Sequence, residues 1–357
     1  MDEKVVSFLR RVYREHYFKH HDLVEIPESM ASREFGYIPF GGGMVRHLSF
    51  KNPGELFAEL VRQAPSSVYC SNAVYERPTL QMDEKGWKGA YLIFDIDADA
   101  IPTPCKARHT WWFCGTCHRG GMGVRPARCP GCKDQSVEQM HWSCRECLNA
   151  TKGHVKRLVD FLRDDFGVQS QDIQVYFSGN RGYHAHVHDE RFATADPQMR
   201  TEIANYVKGT GINLKSQSMA PGHAEVGWGR RAALFMASTE AGTSRSKNNQ
   251  KLTNQVVTAY GAMVDESVTT DVHRVFRMPG TLHGNSGLLK MRVESLEGFD
   301  PQRQPVVLGG DPVSVRVYYA PEFFLNGNRY GPYDSSAVEI PIYAAVFLLA
   351  RGLGEVN

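Results

Sequence analysis

Seven of the eight cysteines lie between residues 105 and 147, and this cluster constrains the fold more than any other feature. It contains three C-x2-C pairs, and paired thiolates at this spacing are typical of tetrahedral zinc sites. The surrounding stretch has many glycines and prolines and few aliphatic residues, so it cannot build a hydrophobic core of its own. The sequence therefore predicts a zinc-binding module over residues 101–147. Its eight candidate ligands are Cys105, His109, Cys114, Cys117, Cys129, Cys132, Cys144 and Cys147.

The spacing permits one or two zinc ions and leaves two ways to pair the ligands. In the nested arrangement, an inner group of four cysteines, 114, 117, 129 and 132, lies within an outer group formed by residues 105, 109, 144 and 147. In the sequential arrangement, the first four ligands along the chain bind one ion and the last four bind the other. A redox role is disfavoured because no thioredoxin-like βαβ pattern surrounds any pair. The remaining cysteine, Cys70, is expected to be a small buried residue.

The composition excludes several classes of protein. The chain has 357 residues, 42% of them hydrophobic and 22% charged, with a formal net charge of +2. These values are ordinary for a globular protein and too balanced for one that binds nucleic acid by bulk charge, so a polyanion must meet a local cleft. No apolar run approaches the roughly 20 residues of a membrane span, and the first residues lack a signal-peptide pattern. We expect an intracellular protein without membrane contact, in which the cysteines stay reduced.

Hydrophobic periodicity predicts an α+β fold with a mixed β-sheet core and the zinc-binding module inserted into it. A discontinuous core is expected over residues 1–100 and 148–330, followed by a C-terminal helical segment over 331–357. Within that segment, the apolar stretch Ile340–Leu353 is predicted to be a core helix, with a partner-docking helix as the alternative. The polar stretch 242–251 is predicted to be mobile. The main predicted elements are helices at 4–20, 54–63 and 149–166, a hairpin at 35–50, and strands at 90–97, 173–177, 184–188, 287–293 and 313–319.

Two acidic residues end the predicted strand 90–97. Asp95 and Asp97 are two positions apart, so on a strand their carboxylates leave the same face. Two carboxylates held this close favour a hard cation such as Mg²⁺ or Mn²⁺. Taken alone, the pair is equally well read as solvated acids at a strand end. The apolar residues that precede it favour a site, and Asp265 is a candidate third ligand.

A glycine-containing turn joins the strands predicted at 173–177 and 184–188. Glycines let a backbone approach a ligand closely, and the turn carries a hydroxyl at Ser178, a guanidinium at Arg181 and an imidazole at His184. This donor set suits a triphosphate. The alternative is an ordinary hairpin turn with a solvent-facing arginine.

Taken in chain order, these features resemble the catalytic small subunit of archaeal and eukaryotic DNA primase. The resemblance rests on four segments: Phe94–Asp97, Cys144–Gly167, Ser178–His184 and Arg274–His283. Further segments that look like the family's N-terminal signatures are Arg33–Gly36, Arg46–Phe50 and Tyr75–Pro78. The resemblance covers about residues 1–330.

The resemblance implies that Asp95, Asp97 and Asp265 hold two catalytic Mg²⁺ or Mn²⁺ ions, with Asp271 as the alternative third ligand. It implies nucleotide contacts by Ser178, Arg181, His184, Arg46, Arg277 and His283. It also favours the nested zinc pairing, with the segment from Cys114 to Cys132 as an insertion between the family's own ligands. Asn180 departs from the pattern, since some members carry a further basic residue there.

The function that the resemblance implies is de novo synthesis of short primers on single-stranded DNA from NTPs or dNTPs by two-metal-ion nucleotidyl transfer. It further implies a heterodimer with a large regulatory subunit that carries an iron–sulfur cluster, in an archaeal cytoplasm or a eukaryotic nucleus. Two alternatives from other classes stay open. One is a non-catalytic zinc-ribbon protein that binds nucleic acid, and the other is a metal-dependent phosphohydrolase.

Overall fold

The computed structural model describes residues 2–214, 226–238 and 249–357. The helices there are α1 (Glu3–Lys19), α2 (Pro53–Gln63), α3 (Lys106–His109), α4 (Arg145–Asp164), α5 (Pro197–Lys208), α6 (Gly227–Ser238), α7 (Asn249–Tyr260), α8 (Glu266–Thr270) and α9 (Ile342–Leu349). The strands are β1 (Phe35–Ile38), β2 (Val45–Leu48), β3 (Ser67–Ser71), β4 (Ala73–Tyr75), β5 (Trp87–Ala90), β6 (Leu92–Asp97), β7 (Thr110–Cys114), β8 (Gly120–Met122), β9 (Val137–His141), β10 (Ile173–Phe177), β11 (Gly182–Val187), β12 (Val275–Arg277), β13 (Met291–Arg292), β14 (Pro312–Ala320), β15 (Phe323–Leu325), β16 (Asn328–Tyr330), β17 (Tyr333–Pro341) and β18 (Gly354–Val356).

The first of two four-stranded sheets has the order β12-β3-β1-β2. The predicted hairpin forms its edge, because β1 and β2 pair across the glycine triplet at 41–43. The predicted N-terminal helix is also confirmed. Asp2 caps α1 by accepting a hydrogen bond from the Lys4 amide at 2.8 Å, and the apolar stripe from Val5 to Tyr17 is buried.

The second four-stranded sheet has the order β13-β10-β11-β6 and brings the acidic strand beside the basic turn. In the antiparallel pairing of β6 with β11, Asp95 lies opposite His184 and Asp97 lies opposite Gly182. The register is fixed because Leu92, Phe94 and Ile96 are buried, and a one-residue slip would turn them outward. Two segments that are far apart in the sequence thus meet at one end of this sheet.

The cysteine-rich stretch forms a three-stranded sheet of order β8-β7-β9 that packs on the C-terminal part of the chain. Ring centroids are 5.7 Å apart between Trp111 and Tyr319 and 5.3 Å apart between Trp142 and Phe347. Gly120 lies so close to the Tyr319 ring that any side chain there would collide with it. The module is therefore held by aromatic packing as well as by its candidate metal ligands.

Several expectations need correction. The α+β class is confirmed, but the pairings within the described residues are antiparallel, whereas a mixed sheet was predicted. The strand predicted at 90–97 begins at Leu92 as β6, because Ala90 ends β5, which pairs with β4 while β6 pairs with β11. Residues 331–357 are not all helical: α9 lies between β17 and β18, which flank β14 in a three-stranded sheet.

α9 is buried along most of its length, so its apolar stretch belongs to the core rather than to a free docking surface. Most of the stretch predicted to be mobile, 242–251, lies outside the described residues. Within residues 2–214, 226–238 and 249–357, no helix has the length and apolar character needed to cross a bilayer.

Candidate active site

Asp95 and Asp97 share one face of β6, and their side chains are 26% and 42% exposed. The Asp265 amide donates a hydrogen bond to the Asp95 carbonyl at 2.9 Å, which brings the third predicted acid to this strand. Burial, then the charges of Asp97 and Asp265, raise the pKa of Asp95 to about 7. The negative charge of Asp95 is therefore disfavoured by burial and by two neighbouring carboxylates.

Asp265 and Asp271 occupy the two ends of the short helix α8. Asp265 caps its N-terminus, and its Oδ1 accepts hydrogen bonds from the Ser267 amide at 2.9 Å and the Ser267 hydroxyl at 2.7 Å. Asp271 follows the last residue, and its Oδ1 accepts from the His273 amide at 2.9 Å. Of these two acids, Asp265 is the one whose amide contacts β6 and whose charge acts on Asp95. In the described part of the chain, the carboxylate oxygens of Asp95, Asp97 and Asp265 do not all lie within 4.8 Å of one another.

The turn from Ser178 to Gly182 is fixed by its own hydrogen bonds. The Ser178 hydroxyl oxygen accepts from the amides of Asn180 at 3.4 Å and Gly182 at 3.1 Å. Gly179 has a φ of +85° and passes close to His283, so glycine meets both the conformational and the steric requirement there. The turn is thus a preorganised loop beside the acids.

Arg181 joins this turn to the acidic strand. Its Nη2 lies 2.8 Å from Asp99 Oδ2, and its Nε lies 3.6 Å from Asp97 Oδ1. The Arg181 carbonyl also accepts a hydrogen bond from the Ala98 amide at 3.1 Å. A guanidinium in this position can contact a phosphate that is also bound near the carboxylates.

His184 lies between Asp95 and a lysine that sequence reasoning missed. His184 Nε2 is 3.5 Å from Asp95 Oδ1, and Lys290 Nζ is 3.1 Å from His184 Nδ1. Lys290 is fully buried, and burial with the nearby Arg277 charge lowers the pKa of its ammonium to about 7. A lone lysine within the apolar strand predicted at 287–293 was the available signal, because such a charge is rarely buried without a partner.

Arg277 and His283 complete a cluster of cationic and imidazole groups. Arg277 Nη2 donates to the Ser67 hydroxyl at 3.3 Å and to the Tyr69 hydroxyl at 3.2 Å. The Asn285 amide donates to His283 Nδ1 at 3.1 Å, which leaves Nε2 to carry the proton of the neutral ring. Burial, then Arg277, Arg351 and Arg181, hold the pKa of His283 well below its ordinary value. His283 therefore lies among three guanidinium groups.

Arg46 forms an ion pair of its own. Its guanidinium donates to both carboxylate oxygens of the buried Glu34, at 2.8 and 3.1 Å, and Lys85 Nζ lies 3.0 Å from the same carboxylate. The Arg46 side chain is 32% exposed, and its Nη2 also reaches the His273 carbonyl at 3.5 Å. The hydrogen bonds that the structure gives Arg46 are thus with Glu34 and with the segment that follows α8.

The eight predicted zinc ligands fall into the two groups of the nested arrangement. Within each group, the candidate ligand atoms lie within 4.8 Å of one another; the outer group is Cys105, His109, Cys144 and Cys147, and the inner group is Cys114, Cys117, Cys129 and Cys132. The chemistry of these atoms fits a metal. His109 Nε2 is buried without a hydrogen-bond partner, so this ring nitrogen is free to bind an ion together with the three cysteine thiols of its group.

The outer group also contacts the acidic strand. Ala98, which directly follows Asp97, packs in one buried cluster with Cys105 and Cys147. The inner group has no such contact in its own buried cluster, which contains Val137. A change at the outer group is therefore expected to reach the acids more directly.

Comparison with known proteins gives the class of this chain. Residues 131–295 match the family model described as DNA primase small subunit. That range contains the turn at 178–182, Asp265, Arg277, His283 and Lys290. A solved structure of the polymerase domain of Mycobacterium tuberculosis ligase D in complex with DNA matches at 10% identity over 83% of each chain. Its TM-score of 0.40 is too low to define the fold.

Relatives named "DNA primase small subunit PriS" match over nearly the whole chain. The protein from Cenarchaeum symbiosum is 37% identical, over 99% of this chain and 100% of the relative. The one from Nitrosopumilus maritimus is 34% identical, over 100% of both chains. The one from Archaeoglobus fulgidus is 33% identical, over 97% of both. The chain belongs to the family of DNA primase small subunits.

Proposed function

We propose that this chain is the catalytic subunit of a DNA primase, which makes short primers de novo on single-stranded DNA from nucleoside triphosphates. The observation that carries the proposal is the register of β6 against β11. It sets Asp95 opposite His184 and Asp97 opposite Gly182, so acids for metal ions and donors for phosphates share one end of a sheet. Template-directed nucleotidyl transfer needs both sets of groups side by side.

Asp95, Asp97 and Asp265 are the residues that would hold two Mg²⁺ or Mn²⁺ ions. The raised pKa of Asp95 supports this role, because a cation would relieve the repulsion among the three carboxylates. Such ions, when bound, lower the pKa of an attacking 3′ hydroxyl and neutralise the leaving pyrophosphate. The side chains themselves would orient the reacting groups at the end of β6.

The triphosphate would be held by the donors around the turn. The Ser178 hydroxyl and the Arg181 guanidinium would contact the phosphates from the turn, and the Nε2–H groups of His184 and His283 would be two further donors. Arg277 adds positive charge from β12. Lys290 fixes the His184 ring by donating to Nδ1, so it acts as a positioning residue. Arg46, whose guanidinium is paired with Glu34, remains a proposed nucleotide contact.

The two cysteine-containing groups would each hold one structural zinc ion. Four ligands per group leave no open coordination position, which is the arrangement of structural rather than catalytic sites. The outer ion would tie the end of β6 to the start of α4, since Cys105 follows β6 and Cys144 precedes α4. The inner ion would hold β7 to the loop that precedes β9.

The partners that fit this function are a single-stranded DNA template, NTPs or dNTPs, and a large regulatory subunit carrying an iron–sulfur cluster. The names of the relatives, which call each one a small subunit, support the proposal of a second subunit. If the isolated chain starts primers as efficiently as the heterodimer does, initiation needs no partner.

The test is a primer-synthesis assay on a defined template. The purified full chain is incubated with oligo(dT), Mn²⁺ and labelled ATP or dATP, with a matched reaction lacking template. The proposal predicts a ladder of short products that appears only with template. Phosphate release without template would instead indicate the phosphohydrolase, and DNA binding without any incorporation would indicate the non-catalytic zinc-ribbon protein.

A further inference from the structure

Arg351 follows α9, far along the chain from the acidic strand, yet its guanidinium reaches the turn between β10 and β11. Its Nη2 donates to Asn180 Oδ1 at 3.1 Å, and its Nη1 donates to the Phe347 carbonyl at 2.7 Å. The guanidinium carbon lies 3.8 Å from the centre of the Phe347 ring and 5.3 Å from that of Trp142. The orientation of this cation is therefore fixed from several sides.

The contacts of Arg351 include no anion. Among the residues that the structure describes, no carboxylate oxygen lies within 4.0 Å of its nitrogens. Burial, then the nearby charge of Arg181, lowers the pKa of Arg351 to about 9. Burying a guanidinium near another positive charge is costly unless an anion joins it.

The space beside Arg351 is large enough for part of a nucleotide. A cavity of about 400 Å³ is lined by Arg351, Arg181 and Asn180, with Trp142 and Phe347 among its apolar walls. Its volume lies within the range of small-molecule sites. The other charges at its wall are already paired: Arg108 lies 3.0 Å from Glu146, and Glu322 lies 2.5 Å from Arg329. Arg181, on the same wall, lies 2.8 Å from Asp99, so among the described arginines that line the cavity Arg351 is the one without a carboxylate partner.

Arg351 also belongs electrostatically to the cluster around the proposed triphosphate site. Its charge is one of those that depress the pKa of His283, together with Arg277 and Arg181. Arg181 extends from Asp97 and Asp99 to the cavity that Arg351 lines. A row of phosphates that begins at the carboxylates would therefore end at Arg351.

We propose that this cavity is an anion subsite in which Arg351, positioned by Asn180, binds the phosphate of the nucleoside triphosphate that lies farthest from the carboxylates. The inference rests on the proposed function and gives the C-terminal part of the chain a role in substrate selection. It makes affinity for a triphosphate, as opposed to a diphosphate, depend on a residue outside the segment that matches the family model.

The test measures dissociation constants of the full zinc-loaded chain in Mg²⁺ without template, by calorimetry. The ligands are ATP, ADP and inorganic tripolyphosphate. We expect Arg351→Gln to weaken the binding of ATP and of tripolyphosphate about tenfold or more, which is the loss typical of a charge-assisted contact. The binding of ADP should weaken at most about threefold. The matched control is Arg316→Gln, which removes an exposed charge from β14 outside the cavity and should change no constant.

Two further variants separate charge from packing. Arg351→Lys keeps a cation but loses the planar stack, so it should retain part of the ATP affinity. Asn180→Arg in the Arg351→Gln background places a guanidinium next to the same position and should restore ATP affinity to within about threefold. Zinc content and melting temperature show whether each variant is folded, and the rescue requires a folded protein in any case.

Three results would overturn the proposal. ATP affinity could be unchanged in folded Arg351→Gln, or the affinities for ATP and ADP could fall equally. In the third result, the affinity for ATP falls while the affinity for tripolyphosphate does not. The last result would assign the cavity to the base or sugar. Failure of the proposed function looks different. A wild-type chain that binds ATP through Arg351 but incorporates no nucleotide on a template would refute the primase and leave the subsite standing.

Discussion

At the scale of single residues, Asp95 is the most strongly perturbed of the proposed metal ligands, because burial and two neighbouring acids raise its pKa to about 7. We expect Asp95→Asn to lower nucleotide incorporation about 100-fold or more, since it removes a proposed metal ligand. The control is Asp83→Asn, an exposed acid outside the cluster, which should keep wild-type activity. Incorporation above a few per cent in folded Asp95→Asn would contradict the assignment of metal ligands.

The raised pKa of Asp95 also predicts that the stability of the folded chain depends on pH in buffer without Mg²⁺ or Mn²⁺. A folded-state pKa raised above the unfolded value means that the folded chain binds the proton more tightly, so Asp95 costs stability as the pH rises from about 4 to about 7. Asp95→Asn removes this cost. Its melting temperature should exceed that of the wild type at pH 8, and the difference should shrink at pH 5. An equal difference at both pH values would contradict the raised pKa.

Lys290 provides a second prediction for a single residue. Its Nζ contacts His184 Nδ1 at 3.1 Å and donates to the Arg277 carbonyl at 2.8 Å, so it holds the imidazole with Nε2–H toward Asp95. Lys290→Met should lower kcat/KM for nucleotide about tenfold or more without unfolding the chain, because it removes this orientation and a buried charge together. Lys156→Met, which removes an exposed lysine from α4, is the control. A purely structural role for Lys290 would leave the pH profile of kcat/KM unmoved.

At the scale of elements, the two cysteine groups have different neighbours and should fail differently. The wild type should contain two zinc ions per chain, and Cys144→Ser and Cys129→Ser should each contain one. Cys144→Ser should reduce incorporation about tenfold or more, because Ala98 at the end of the acidic strand packs on the outer group. Cys129→Ser should spare most activity. One zinc per wild-type chain, or equal activity loss in both variants, would contradict the nested arrangement.

The inner cysteine group depends on the rest of the chain more than the spacing of its four cysteines indicates. Its four ligands need nothing outside residues 114–132, which predicts a separate flap, yet the His118 ring stacks on Tyr318 at 4.0 Å and Trp111 contacts Tyr319. Cys129→Ser is therefore expected to lower the melting temperature as well as the zinc content. The cause would be lost packing on β14.

Local patterns predicted the elements that depend on local physics. The stripe of apolar residues in α1, the glycines between β1 and β2, and the C-x2-C spacings all report on neighbours within a few residues. Asp95 and Asp97 could be placed on one face of a strand by period two alone. The resemblance to primases then supplied the grouping of Ser178, Arg181 and His184 with these acids.

The features that sequence reasoning missed depend on contacts between distant segments. Lys290 contacts His184 across 106 positions, and Arg351 contacts Asn180 across 171 positions. No local period reports such pairs. The division between β5 and β6 was missed for the same reason, because continuous hydrophobicity does not reveal that β5 pairs with β4 and β6 with β11. The strands around α9 were missed because its apolar run dominated the C-terminal pattern.

At the scale of the whole molecule, the candidate site is assembled from five separate parts of the chain. β6 supplies the paired acids, the turn before β11 supplies Arg181, α8 begins at Asp265, the segment from β12 to β13 supplies Lys290, and the end of α9 supplies Arg351. The zinc module packs between the acidic strand and the C-terminal sheet, so its integrity supports both. A site built this way exists only in the folded whole, and its activity should be lost in the same thermal transition as its structure.

The most direct measurement is template-dependent synthesis by the full chain and by Asp97→Asn, carried out side by side on oligo(dT) with Mn²⁺ and labelled ATP or dATP. The wild type should produce a ladder of short primers only when template is present. Asp97→Asn should produce none while keeping its two zinc ions and its DNA affinity. Primer synthesis that persists in Asp97→Asn, or labelled products that form equally well without template, would contradict a primase whose catalytic metals are held by the end of β6.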